Sequence, residues 1–282
     1  MQEPQVMTRT RGVIDLQSYR FRSATEADFA ERIETSTVVR DAESGRVSIV
    51  YLELDDDCRA ITDCLKRIEY REQERTSGMK TRSRIFGFRP RITIRDDFCT
   101  VSSLARDSAQ AHALITSYAK RVATYYERYN PELYSYHEQQ VEKVLPDWTL
   151  ERSVFTSGII NKNNPLAYHF DAGNFKHVWS NMLVFRAGTS GGLLSVPEYN
   201  FGIAVKNNSL VMFDGQNLLH GVTPIAQTRP DGYRYSIVYY SLQSMWKCLP
   251  LGQEMQRIRQ KRTEREEKRL QSTIEKVQHD HQ

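Results

Sequence analysis

Two metal-ligand residue types stand two positions apart in HFDAGNFKHVWSNM (His169–Met182), just before an apolar run that reads as a strand. Alternate residues of a strand point to one face, so His169 and Asp171 would project together. They offer one neutral nitrogen and one anionic oxygen. A second histidine would complete a two-histidine, one-carboxylate triad, the geometry that suits non-haem Fe(II) because it leaves positions open for a co-substrate and O2. That histidine must come from a distant segment. His220, in FDGQNLLHGVTP, follows the apolar run SLVMF and precedes a proline-bounded turn. His177 competes, but it lies so soon after Asp171 that the chain would have to fold sharply back, so His220 is preferred.

An H-x-D pair alone arises often by chance. RYSIVYYS (Arg234–Ser241) strengthens it by strict alternation. Arg234, Ser236, Val238, Tyr240 and Leu242 share one face, while Tyr235, Ile237 and Tyr239 share the other and can pack a core. An arginine on an inner face is costly unless it meets an anion. Its planar fork, with a hydroxyl two residues on, makes a good carboxylate receptor. Arg229 competes from the turn TRPDG, where exposure is expected.

The order H-x-D, distal His, then R-x-S on a late strand resembles the Fe(II)/2-oxoglutarate-dependent dioxygenases. More narrowly, HFDAGN with SGGLLSVP, HGVTP and RYSIVYY resembles their Tet/JBP branch, in a compact microbial or viral form. The matching motifs run from about His169 to Leu242. The resemblance implies a double-stranded β-helix (jelly-roll, cupin-like) core. It implies that His169, Asp171 and His220 hold Fe(II), and that Arg234 and Ser236 bind the distal carboxylate of 2-oxoglutarate, with O2 as the second co-substrate. It further implies that Asn174 hydrogen-bonds a target base and Tyr240 stacks on it. Leu242 departs from the pattern, standing where the animal enzymes place a base-contacting histidine. The cysteine-rich zinc-binding extension of those enzymes is also missing.

The implied reaction is hydroxylation of the 5-methyl group of a pyrimidine, 5-methylcytosine or thymine, in DNA. A ring methyl has no easily removed proton and no leaving group, so a cofactor must carry the hard step. A base inside a duplex must be flipped out or presented single-stranded, and RNA is a further candidate partner. The alternative is a 2-oxoglutarate-dependent hydroxylase of a peptidyl or small-molecule substrate. In either case Asn174 has a plainer reading, as a turn former closing the loop DAGN.

The supporting elements are legible in outline. RVSIVYLEL (Arg46–Leu54) alternates like a strand. DDDCRAITDCLKRIEYREQE (Asp55–Glu74) and SSLARDSAQAHALITSYAKRVATYYERYN (Ser102–Asn130) read as helices, the latter ended by Pro131, and SYHEQQVEKVL (Ser135–Leu145) as a shorter one. From Val154 to Gln243, short apolar runs alternate with turn residues, as in a β-sandwich or barrel. The expectation is an α+β fold. One dioxygenase domain would span 1–250, with a helical or mixed part over 1–150 and the jelly-roll over 151–245. Residues 251–282 would form a charged helix or a disordered tail.

The 282 residues carry 39% hydrophobic and 26% charged side chains, with net charge +4. These values fit a soluble protein with a sizeable core and allow a polyanionic partner. The stretch KTRSRIFGFRPRITIR (Lys80–Arg95) is basic with interleaved aromatics, so Arg84, Arg89 and Arg91 are candidate contacts to a nucleic-acid backbone. A strand with one solvated arginine face is the equal alternative. Cys58, Cys64, Cys99 and Cys248 show neither zinc-type nor disulfide-scaffold spacing and are expected to be reduced. No secretory signal or membrane span is visible, and no obligate protein partner is evident. An intracellular protein is expected, cytoplasmic or, in a eukaryote, nuclear.

Overall fold

The computed structural model describes residues 3–19, 21–74, 80–91 and 98–280. In chain order its strands are β1 (Gln5–Arg9), β2 (Glu31–Ile33), β3 (Thr37–Asp41), β4 (Val47–Glu53), β5 (Arg71–Glu74), β6 (Lys80–Arg89), β7 (Thr100–Val101), β8 (Ser157–Lys162), β9 (Leu166–His169), β10 (Ser180–Ala187), β11 (Thr189–Gly191), β12 (Leu194–Val196), β13 (Phe201–Ile203), β14 (Ser209–Phe213), β15 (His220–Val222), β16 (Ile225–Gln227) and β17 (Tyr233–Tyr240). The helices are α1 (Leu16–Tyr19), α2 (Arg59–Arg67), α3 (Ser103–Asp107), α4 (Ala109–Tyr129), α5 (Pro131–Val141) and α6 (Leu251–Asp280).

Apolar side chains on alternate positions drive two sheets together. The long sheet runs β1-β3-β4-β14-β10-β17-β8-β6-β5, with β7 on β6, and the short one β2-β13-β12-β15-β9. Between them lies one core, including Met182, Val184, Val211 and Phe213 from the long sheet and Leu194 and Val222 from the short. The outer face of the long sheet is covered by helices. There Tyr235, Ile237 and Tyr239 of β17 pack with Ile115, Ala119 and Val122 of α4. Each such buried side chain contributes ~1.5–3 kcal/mol relative to an exposed one. The alternation of RYSIVYYS is therefore literal: one face enters the helix-backed core and the other looks between the sheets.

The N-terminal part is more than a helical preface. β1, β3, β4, β5 and β6 extend the long sheet, and β2 adds to the short one. Several of these strands are three to five residues long and partly exposed, so their alternation is too brief to read as a pattern. The helix expected over Asp55–Glu74 is confined to α2, and the last four residues form β5. The long helix expected over Ser102–Asn130 is broken at Ser108, and Asn130 caps the start of α5 by accepting from the Leu133 amide.

Cys99 and Cys248 are joined in a disulfide, against the expectation of four reduced thiols. They are 149 residues apart, so spacing held no sign of the pairing. Packing around Trp148, Phe175 and Met245 brings them together. The tail is helical. Buried Glu254 accepts from the Arg91 guanidinium at 3.0 and 2.6 Å and from the Leu249 amide at 2.9 Å, which pins the start of α6. From 262 to 276 its side chains are exposed. Among the described residues no helix is long and apolar enough to cross a membrane.

His137 on α5 is fully buried among Tyr126, Phe155 and Phe175. Ser241 donates to the Val154 carbonyl, so the 2.9 Å contact from His137 Nε2 to Ser241 Oγ needs Nε2 to carry the hydrogen. Burial pushes this imidazole down to about 3. The unfolded chain takes up a proton near pH 6.5 that the folded chain refuses, so stability is complete above that pH and declines as pH falls toward 3. Urea unfolding at pH 7 and pH 5 should show His137→Gln removing ~2 kcal/mol of that dependence between the two. An unchanged slope would mean His137 does not titrate this way.

Candidate metal and co-substrate site

His169 ends β9 and His220 begins β15, and the two are paired across the antiparallel ladder. Their rings lie 4.3 Å apart. Asp171 follows two residues after His169, where its amide donates to the Gly215 carbonyl at 2.8 Å. Asp171 Oδ1 is then 3.8 Å from Nε2 of each histidine. One ligand atom from each of the three residues falls within 4.8 Å of the others, and among the described residues no other such group of three forms. His169 Nδ1 lies 2.9 Å from the Ala167 carbonyl and His220 Nδ1 2.9 Å from the Leu218 carbonyl. A carbonyl can only accept, so both Nδ1 atoms carry hydrogen and both Nε2 lone pairs face the shared space. This arrangement fixes tautomer and ring orientation in metal-binding histidines. His177 stands outside the group, exposed in a turn near Asn217.

The triad opens into a cavity of about 240 Å³ between the sheets. Arg234 lies in its wall, 2% exposed, and its Nε and Nη2 have no hydrogen-bond partner among the described residues. Burial pulls this guanidinium down to about 9, and the Arg186 charge adds to the effect. Arg186 itself is satisfied by the carbonyls of Thr189, Gly191 and Val205. A buried guanidinium with idle donors is costly unless it meets an anion. Arg229 is exposed near Asp231, as expected of the turn.

Ser236 takes part in a polar cluster that sequence reasoning missed. Asn161 Nδ2 reaches Ser236 Oγ at 3.4 Å, while Asn161 Oδ1 accepts from Ser83 at 2.8 Å and from Asn164 at 3.2 Å. The run NKNN after an apolar strand was the available signal, but asparagines there read equally well as a turn.

Asn174, Tyr240 and Leu242 line the same cavity. Asn174 and Leu242 are bridged backbone to backbone, which closes the DAGN loop against the end of β17. The Asn174 side chain is buried and its amide donates to Ser180 Oγ at 3.2 Å.

Two of the three arginines expected at a nucleic-acid backbone have carboxylate partners within the protein. Arg84 is buried on the helix-covered side and paired with Asp107 through Nη2, its Nε and Nη1 having no partner among the described residues, and Arg91 is paired with Glu254. Arg89 is half-buried at the end of β6, opposite Thr100. Ile92 and Arg95 lie outside the described residues.

Two facing sheets with an H-x-D…H group at one end and a buried arginine on a central strand define the class of 2-oxoglutarate/Fe(II) oxygenases. The Tet_JBP family profile, described as the oxygenase domain of the 2OGFeDO superfamily, matches residues 95–243. The chain belongs to that family. It is an Fe(II)/2-oxoglutarate-dependent dioxygenase with O2 as co-substrate, as in the superfamily. Among solved structures it resembles NgTET1 in complex with 5mC DNA, at TM-score 0.61 and 13% identity over 88% of this chain and 85% of that one. A 2OG-Fe(II) oxygenase from Burkholderia pseudomallei matches at TM-score 0.44 and 12% identity over 70% and 86%. At 13% identity the likeness to NgTET1 is one of fold. No curated protein matches.

Gly215 is a local requirement of the triad. A Cβ there would sit 2.3 Å from Asp171 Oδ2 and 3.0 Å from its Cγ. Gly215→Ala should therefore displace the carboxylate and weaken anaerobic Fe(II) binding, with the circular-dichroism spectrum unchanged. Wild-type Fe(II) affinity in that variant would contradict the crowding.

Proposed function

We propose that the chain hydroxylates the 5-methyl group of a pyrimidine, 5-methylcytosine or thymine, in DNA. His169, Asp171 and His220 would hold Fe(II), and Arg234 with Ser236 would take the distal carboxylate of 2-oxoglutarate. The observation that carries the oxygenase part is the idle, buried Arg234 guanidinium sharing one cavity with the triad. The DNA part is supported by the fold of NgTET1, which was solved with 5mC DNA, and by Asn174 and Tyr240 beside the triad. Residues 1–250 would act as one domain, with 251–282 as an appended charged tail.

Bound Fe(II) with 2-oxoglutarate and O2 supplies the oxidising chemistry that acid–base side chains cannot bring to a ring methyl. The protein's own work is placement and exclusion of water. Val238, Met182 and Phe213 give the cavity apolar walls. Asn174 would present an amide to the edge of a flipped base, and Tyr240 a ring to its face. Leu242 adds apolar surface where a hydrogen-bonding side chain would read the base, which leaves edge recognition to Asn174.

A hydroxylase of a peptidyl or small-molecule substrate is the second reading. The pairing of Arg84 with Asp107 and of Arg91 with Glu254 favours it, by reducing the free basic surface. Incubation with methylated or thymine-containing DNA, Fe(II) and 2-oxoglutarate, followed by nucleoside analysis, separates the two. A hydroxymethyl pyrimidine is expected from wild type and none from His169→Ala or Asp171→Ala. The absence of any new nucleoside from duplex or single-stranded DNA and RNA, with 2-oxoglutarate still turned over, would favour the second reading. Losing charge-assisted hydrogen bonds worth ~1.5–3 kcal/mol, Arg234→Gln should raise the 2-oxoglutarate concentration for half-maximal turnover roughly 10- to 100-fold.

A further inference from the structure

Asp171 has two carboxylate oxygens, and the structure treats them differently. Oδ1 faces Nε2 of both histidines. Oδ2 turns away and accepts from Ser180 Oγ at 3.1 Å, with Gly215 packed so closely that no Cβ would fit beside it. Ser180 is the first residue of β10 and is 3% exposed. Its hydroxyl has one hydrogen to give. Asn174 Nδ2, which can only donate, points at the same oxygen from 3.2 Å. The Ser180 hydrogen is therefore directed to Asp171 and nowhere else.

We propose that Ser180 is a positioning residue that keeps Asp171 a one-oxygen ligand, and that Asn174 sets the direction of the Ser180 hydroxyl. The inference rests on the reading of His169, Asp171 and His220 as a metal-holding triad. Without the hydroxyl, Oδ2 is free to swing inward and occupy a position that a three-residue site leaves open for the co-substrate. The same link ties a side chain expected at the substrate edge to a metal ligand through two hydrogen bonds. Its sequence signal was slight: a serine nine positions past Asp171 (171 to 180), at the start of an apolar run.

The test is anaerobic titration of the full chain with Co(II), read by visible absorption, then addition of 2-oxoglutarate to the loaded protein. Loss of a hydrogen-bond partner behind a metal ligand costs ~10- to 100-fold in metal affinity. Ser180→Ala should lose that much and show a blunted spectral response to 2-oxoglutarate, at an unchanged thermal midpoint. Ser180→Thr, which keeps the hydroxyl, should restore both. Asn174→Ala should weaken Co(II) in the same direction, and it carries the test if Ser180→Ala does not fold. Wild-type affinity and response in Ser180→Ala, or in Asn174→Ala where that variant stands in, would overturn the proposal while leaving the triad intact. If wild-type protein itself binds no Co(II), the triad reading fails first and the proposal with it.

Discussion

A single central strand has to satisfy two opposite environments, and the rest of the molecule is arranged around that demand. β17 lies between β10 and β8, so its backbone is hydrogen-bonded on both edges and cannot shift register without breaking two ladders. A slip of one residue would exchange its faces. Tyr235, Ile237 and Tyr239 would then point between the sheets, and Arg234 and Ser236 into the helix-backed core. The large apolar burial on one face thus holds the arginine on the other. The hydrophobic core fixes where the cavity's positive charge stands.

Holding a charged group inside has consequences nearby. Gly192 approaches so closely that a Cβ would meet the Arg234 side chain at 2.9 Å, which explains a glycine at positive φ beside the cavity. Arg186, whose charge acts on Arg234, is satisfied by backbone carbonyls, while Arg234 keeps idle donors. On the neighbouring strands Ser83, Asn161 and Asn164 satisfy one another and bring an amide within reach of Ser236. That cluster is self-satisfied, whereas Arg234 keeps idle donors in the wall of the cavity that holds the triad.

The triad shows the same economy at the other end of the cavity. Its two histidines are adjacent because β9 and β15 are paired, and each is oriented by a carbonyl two residues earlier in the chain. Asp171 is oriented by contacts from three places, the Gly215 carbonyl, the Gly215 surface and Ser180. Rotamers held this way need no reorganisation when a ligand arrives.

Local periodicity carried much of this. The i, i+2 spacing of His169 and Asp171 and the alternation of Arg234–Tyr240 are properties of strand geometry, so they could be read without a fold. The α+β class was legible for the same reason, and the jelly-roll core was implied by the family resemblance. Other features depend on which distant segments meet. The short strands β1, β2 and β3 become recognisable only once paired. Cys99 meets Cys248 inside a cluster with Trp148 and Phe175, residues remote from one another in the chain. Arg84 and Arg91 look like a basic face until Asp107 and Glu254 arrive from elsewhere in the chain to engage them. Asn174 looks like a turn residue or a base reader, and only the fold shows that its amide also meets Ser180. The sequence alone determined the residue types and the faces they share, because side-chain direction in a strand is local. Only the tertiary structure decided which polar groups find partners within the protein and which remain for a ligand, because that depends on desolvation and on neighbours remote in sequence.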